Sequence, residues 1–354
     1  MAVREEDKRL VKLKEQGKTL YSISKLNTMH QCKYQAFLNY VMKEKQKDNI
    51  WACAGTIIHD KLEACIHGTG TTADLRKAID EELENFSLLD IDFPLDKNGN
   101  PTVRNNWIAN MTRFAEEFKP WNGHFDTEEL VILPITENAV MHGYIDVISY
   151  NNDGTVDVID WKTSSQFTGD HLVEAGRQLA FYAMALEAEG LTVRSAKWVM
   201  LKYYEAAWKQ KNGKFKTKVG EWRNLGKDLE GVVEKKLIEK GMDEIDIAII
   251  IDEMKKSNKI PEELRGDIFV APYIREYELT PEVKAETMQY IKDTIAEYEK
   301  YMSEKKVWEP CDCKKDSYFC ANLCGYGGRT GKCKHWVDYC ETFEKKTDEE
   351  EDLF

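Results

Sequence analysis

Apolar and polar positions change period several times along this chain, and each change predicts an element. Residues 1–20 are charged and spaced as a helical leader. From Tyr21 to Val41 apolar residues recur at helical spacing, with Ser22 or Ser24 as the cap. Further helices are expected from Gly55 to Gly68, Ala73 to Phe86 and Trp107 to Phe118, with a turn-rich loop at 89–106. The period then drops to two. ELVILPI (129–135), AVMHGYIDVISY (139–150) and TVDVIDWKT (155–163) read as strands, the last two joined by the hairpin turn NNDG at 151–154. A helix from Leu172 to Ala188, a strand at 193–205 and another at 268–279 follow, then a helix capped by Thr280 with Pro281 at its first position. This order implies an α/β sandwich, a central mixed sheet flanked by helices.

The pattern divides the chain into an N-terminal helical segment (1–54), a core (55–205), an insertion with a lysine-rich hairpin (206–268) and a core strand and long helix (269–306). A cysteine-rich segment (307–343) and an acidic, disordered tail (344–354) complete it. Of the 354 residues, 42% are hydrophobic and 32% charged, enough for a core beneath a wet surface. The opening has no apolar signal-peptide region, and no stretch approaches the roughly 18 apolar residues of a membrane span. A soluble cytoplasmic protein is expected, in host cytoplasm if phage-encoded. The net charge of −13 argues against a nucleic-acid partner, but much acid sits in the tail TDEEEDLF.

The candidate chemistry lies in VDVIDWKTSS (156–165). Alternation points Asp160 and Lys162 to one face and Trp161 to the other. Asp146 lies on the neighbouring strand of the hairpin. Two carboxylates and an ammonium converging at a sheet edge suit phosphodiester hydrolysis, with the carboxylates holding Mg²⁺ or Mn²⁺ and Lys162 orienting water or steadying the transition state. Taken alone, D-x-K is more often a solvated edge, His59 a core histidine, and Gln178 and Tyr182 helix packing.

Four pieces in order change that balance: G-x-x-x-H at Gly55–His59, G-x-x-D at Gly143–Asp146, D-x-K at Asp160–Lys162 and Q-x-x-x-Y at Gln178–Tyr182. Together they resemble the PD-(D/E)XK nuclease superfamily, in its RecB-like branch, which implies a restriction-endonuclease-like core. The resemblance implies a metal held by His59, Asp146, Asp160 and the carbonyl of Trp161. It implies catalysis by Asp146, Asp160 and Lys162, and a site-supporting or DNA-touching role for Gln178 and Tyr182. Glu63, one turn after His59, is expected to support the site without binding the metal. The activity implied is a DNA exonuclease on free ends or single strands, serving recombination, repair or replication, with a phage or mobile element as the origin suggested.

Of nine cysteines, six lie between Cys311 and Cys340, a cluster that suggests a metal or iron–sulfur site. Some relatives of AddB or CRISPR-associated type join their chain ends by a [4Fe–4S] cluster. That implies Cys32, Cys320, Cys324 and Cys333 as ligands, with Cys311, Cys313 and Cys340 as rivals and zinc as the alternative. Lys209, Lys211, Lys214, Lys216 and Lys218 interleave with Trp208, Phe215 and Trp222, as phosphate- and base-binding groups do. A solvated hairpin fits the same pattern. The acidic tail is a candidate dock for a replication or recombination protein. Against the nuclease stand a non-catalytic nucleic-acid-binding module of the same fold and a zinc-stabilised interaction protein.

Overall fold

The computed structural model describes residues 7–121 and 123–351. Helix α1 (Lys8–Glu15) leads into the short strand β1 (Thr19–Tyr21), then α2 (Ile23–Gln31) and α3 (Lys33–Ala36). Three longer helices follow, α4 (Ile50–Ile66), α5 (Thr72–Leu88) and α6 (Thr102–Glu117). Then come β2 (His124–Pro134), β3 (Ala139–Tyr150), β4 (Thr155–Lys162), α7 (Asp170–Ala188) and the long β5 (Thr192–Lys209). The rest is β6 (Phe215–Glu221), α8 (Leu225–Glu239), α9 (Glu244–Ser257), β7 (Ile268–Tyr277), α10 (Pro281–Ser303) and α11 (Lys334–Glu351).

One mixed seven-stranded sheet forms the middle layer. β3 pairs antiparallel with β2 along one edge; along the other it takes parallel β1 at 139–141 and antiparallel β4 at 147–150. β4 runs parallel to β5, whose opposite edge carries antiparallel β7. Beyond a bulge at 200–204, β6 replaces β4 beside β5. The sheet therefore ends in a three-stranded extension, β6–β5–β7.

Each face buries a separate core. Val147, Ile159, Trp161, Val199 and Leu201 pack with α4, α5, α6, α8 and α9. Ile148, Val156, Val158, Trp198 and Met200 pack with α2, α7 and α10. Trp161 and Trp198 are fully buried on opposite faces, and each such side chain contributes about 2–3 kcal/mol by leaving water.

Several boundaries differ from expectation. α4 begins at Ile50, where the Asn49 side chain accepts from Trp51 N at 2.8 Å, so the segment boundary expected after residue 54 falls inside a helix. Gly55 is interior to it. The leader is helical only to Glu15 and then supplies β1, whose three residues are too few to show a period. Residues 334–351 are helical, not a disordered tail; residues 352–354, which carry the end of the expected docking tip, lie outside the described residues. Among the described residues no helix is long and apolar enough to cross a membrane.

The chain ends are joined by hydrogen bonds and a small apolar contact. Tyr34 N donates to Glu309 O at 2.9 Å, and Lys47 N to Gly325 O at 2.9 Å. The buried Tyr326 hydroxyl donates to Asn39 Oδ1 at 2.6 Å and the Glu44 carbonyl at 2.7 Å. Leu38, Tyr326 and Cys333 close over them.

Candidate active site

The β3–β4 ladder stops at Val147 and Ile159. One step further the register sets Asp146 opposite Asp160, where the strands diverge. The fork frees backbone groups that a continuous ladder would use, and Trp161 N donates to Asp146 Oδ2 at 2.7 Å. α4 lays His59 against the same carboxylate, with Nδ1 3.6 Å from Asp146 Oδ2. The His59 ring meets Trp161 edge-on at 5.7 Å.

Asp160 and Lys162 share the α7 face, as alternation requires. Lys162 Nζ lies 2.7 Å from Asp160 Oδ2, off the direction of a good hydrogen bond, and donates to Gln178 Oε1 at 3.2 Å. Gln178 Nε2 in turn donates to the Tyr182 hydroxyl at 2.8 Å. The i, i+4 spacing on α7 makes that relay possible. Gly143 explains its place in G-x-x-D: a Cβ there would lie 2.8 Å from the Tyr182 ring and 3.0 Å from Phe181. Gly55 meets only ordinary contact, 3.6 Å from Thr163 Oγ1.

Burial dominates the electrostatics. It pushes the Asp160 carboxyl up, Asp146 adds to the push, and Lys162 opposes it, leaving Asp160 at about 6. Burial also works to raise Asp146, but His59, Lys162 and the Trp161 N–H outweigh it and hold it below the usual range. Burial would lower Lys162 and His59; the two carboxylates outweigh this for Lys162 and raise it, and Asp146 chiefly does so for His59. Desolvation, with Asp160 next, drives the Tyr182 phenol far up, so its proton stays on oxygen.

Two expected centres are corrected. Among the described residues, no group of three or more His, Cys, Asp or Glu side chains is placed to hold a metal ion. His59, Asp146, Asp160 and Trp161 meet, but not as the Mg²⁺ or Mn²⁺ cage expected: Asp146 Oδ2 takes the Trp161 N–H and Asp160 Oδ2 faces the Lys162 ammonium. The [4Fe–4S] or zinc centre on Cys32, Cys320, Cys324 and Cys333 is overturned by the same finding. Those four cysteines line one small cavity with Cys311 and Cys313. Two of their sulfurs have other partners: Cys320 Sγ touches Cys311 Sγ at 3.5 Å, and Cys32 Sγ accepts from Gln35 N and Cys311 N at 3.4 and 3.3 Å. Contact with Cys311, against the pull of burial, brings the Cys32 thiol down to about 6.

Glu63 accepts from Thr127 Oγ1 at 2.7 Å and so ties α4 to β2. Glu128 escaped the sequence analysis. It sits at φ 53° between Thr127 and Glu129, which pair with Val147 and Ile145, so it lies opposite Asp146 on the other edge of β3. This left-handed residue interrupts the pleat without shifting the register, and no residue pattern announces it. In the hairpin, Lys218 donates to Asp228 O at 2.7 Å and Lys211 lies 3.7 Å from Glu239 Oε1. Lys216 lies 6.0 Å from the Trp208 ring.

An α/β sandwich with two aspartates, a lysine and a helix-borne histidine at a strand fork defines a class of nucleic-acid-cleaving folds. The profile of the PD-(D/E)XK nuclease superfamily matches residues 21–315, and the chain belongs to that superfamily. No curated protein matches it. Among solved structures, a protein from Eubacterium rectale, described provisionally as an exonuclease, is similar at 12% identity with a TM-score of 0.32, covering 73% of this chain and 96% of its own. A second, SSO0001, is similar at 15% identity and a TM-score of 0.21, covering 59% of this chain and 87% of its own.

Proposed function

We propose that this protein is a deoxyribonuclease of the RecB-like kind, hydrolysing phosphodiester bonds from free DNA ends or single strands. The observation that supports this most is the Lys162 ammonium held between Asp160 and Gln178, with Asp146 across the fork from Asp160. Hydrolysis needs a proton acceptor for the attacking water and positive charge for the phosphate as the P–O bond forms. Asp160, ionised above about 6, serves as the acceptor. Lys162 supplies the charge. The new bond is water oxygen to phosphorus; the bond that breaks is phosphorus to the sugar oxygen, and the proton Asp160 takes from the water ends on that oxygen. His59 and the Trp161 N–H keep Asp146 ionised beside them, and the Gln178–Tyr182 relay fixes Lys162. Recombination, repair and replication are the settings this reading fits.

The test is cleavage of single- and double-stranded DNA labelled at either end, in buffers with and without divalent salt, by wild type, Asp160→Asn and Lys162→Ala. Loss of cleavage in both variants, with DNA binding retained, supports the reading. Wild-type protein that binds these strands but leaves them intact overturns it in favour of a non-catalytic binding module.

A further inference from the structure

The sheet extension β6–β5–β7 has one face open. Downstream of its bulge, β5 sends Tyr204, Ala206 and Trp208 into the core under α8 and α9. Tyr203, Glu205, Ala207 and Lys209 therefore face the other side, where α7 covers Asp160 and Lys162 further up the sheet. Past the bulge that face is less covered: Tyr203, Glu205 and Ala207 are half-buried and Lys209 is exposed. In register, Lys209 stands opposite Phe215, and Ala207 lies between Thr217 on β6 and Phe269 on β7. Phe215 and Phe269 are 63% and 57% exposed.

Two aromatic rings thus stand on the outer strands of a rigid sheet, either side of a low floor formed by Ala207. Two inter-strand steps separate their strands, roughly 10 Å. Charge complements an anionic strand here: residues 206–220 hold five lysines and no acid. Lys211 and Lys218 have carboxylate partners, whereas Lys209, Lys214 and Lys216 have none among the described residues. Glu205 is the carboxylate on the floor itself, at its inner end.

The face is continuous with the proposed site. Lys162 pairs in register with Met200, and β5 runs on from Met200 to Ala207, roughly 23 Å at about 3.3 Å per residue. We infer that this open face is a binding track for an unpaired nucleic-acid strand, with Phe215 and Phe269 stacking on bases and Lys209 meeting phosphate. Stacking platforms of this kind accept any base but need it unpaired. The inference rests on the proposed nuclease reading and extends it to the class of strand the protein holds.

The experiment uses the full chain and fluorescein-labelled oligothymidylates of about 4 and about 16 nucleotides, spanning the site sizes of single-strand grooves, plus a duplex of the longer length. Phe215→Ala and Phe269→Ala are each expected to weaken binding of the long strand about tenfold. The double variant should lose more, Phe215→Tyr should restore binding, the short strand, long enough to span the roughly 10 Å between the ring-bearing strands, should follow the long one, and the duplex should be unaffected. Both residues are exposed, and an unchanged thermal midpoint checks folding. As a second readout, an iodouracil-substituted long strand should photocrosslink to the peptides holding Phe215 or Phe269. Unchanged long-strand affinity in the double variant, or equal losses on all three probes, overturns the track. Ring-dependent binding by a protein that cuts nothing retains the track and sinks the nuclease; cleavage indifferent to both rings does the reverse.

Discussion

Lys162 Nζ stands 2.7 Å from Asp160 Oδ2 inside a site from which most water is excluded. Removing one partner of such a pair leaves a buried charge without its counter-charge, a cost of about 3–5 kcal/mol. Lys162→Met should therefore destabilise the protein as well as silence it. Urea unfolding is expected to show a loss near 3 kcal/mol, because Asp160 can take up a proton instead of staying charged. The double variant Asp160→Asn/Lys162→Met should lose less than the two single losses added. Cleavage by either single variant should fall by roughly 10²–10³-fold or more. Additive stabilities would show that the pair is not coupled.

Two aspartates on β4 give opposite pH responses. Asp160 is raised to about 6, so the folded protein binds its proton more readily than the unfolded chain. Its contribution to stability therefore grows as pH falls from about 6 towards the unfolded value of about 4. Cleavage, which needs the ionised form, should fall over the same interval. Asp160→Asn should flatten the stability slope there, checked by urea unfolding at stepped pH. His59, raised from its usual range by Asp146 against burial, acts higher: its contribution is full below about 6.5 and fades as pH rises through the folded value.

Asp157 behaves in the reverse sense. Burial alone would raise it, but Arg194, Ser195 and Lys197 outweigh burial and hold it at about 2. Arg194 Nε donates to Oδ1 at 3.0 Å, Ser195 Oγ to the same oxygen at 2.8 Å, and Lys197 Nζ to Oδ2 at 3.2 Å. Its stabilisation is complete above about 4 and is lost as pH falls through about 2. Asp157→Asn should cost about 2 kcal/mol at neutral pH and reduce the acid sensitivity below pH of about 4. Cleavage at pH 7 should be unchanged, because Asp157 lies away from the strand fork.

Much of the site was legible because alternation is rigid. Once two strands share a hairpin, the turn at 151–154 sets the register, and Asp146 must come opposite Asp160. The helical spacing of Gln178 and Tyr182 likewise fixes their relay. What stayed hidden depends on contacts between distant segments. β1 is three residues long and exists only because β3 offers an edge. Glu128 is placed by its own left-handed backbone, and Cys311, which touches the nearby Cys320, also meets Cys32 279 positions away in sequence. Gly55 reads as a helix start only if glycine is taken as a breaker; within α4 it is tolerated because eleven further residues of helix and the Ile58–Leu62 core offset its cost.

Gly143 ties the strand motif to the helix motif. A methyl there would meet Tyr182 at 2.8 Å and Phe181 at 3.0 Å, and both rings are buried and cannot swing away. Gly143→Ala should destabilise by about 1–3 kcal/mol. It should also push Tyr182 from Gln178, loosening Lys162. The expected signature is a fall in kcat larger than any change in KM, together with a lower thermal midpoint. A variant with full activity and an unchanged midpoint would show that the helix has room to retreat.

The joint between the chain ends offers a last prediction. Tyr326 is 1% exposed, and its hydroxyl contacts both Asn39 Oδ1 and the Glu44 carbonyl. These are two acceptors on the segment between α3 and α4, reached from beyond α10. Tyr326→Phe keeps the ring and its packing against Leu38 but removes the one hydroxyl proton that the two acceptors share; Asn39 is half-buried and Glu44 exposed, so water can reach them. A loss of roughly 1 kcal/mol, that of one hydrogen bond, is expected. Because the joint holds residues 309–333 against 34–49, local opening there should rise more than opening of the sheet. Hydrogen exchange should show faster exchange at Lys47 N and Tyr34 N, while amides of β3 and β4 keep their protection. Uniformly faster exchange across the molecule would mean that the joint supports the whole fold equally, and not the chain ends in particular.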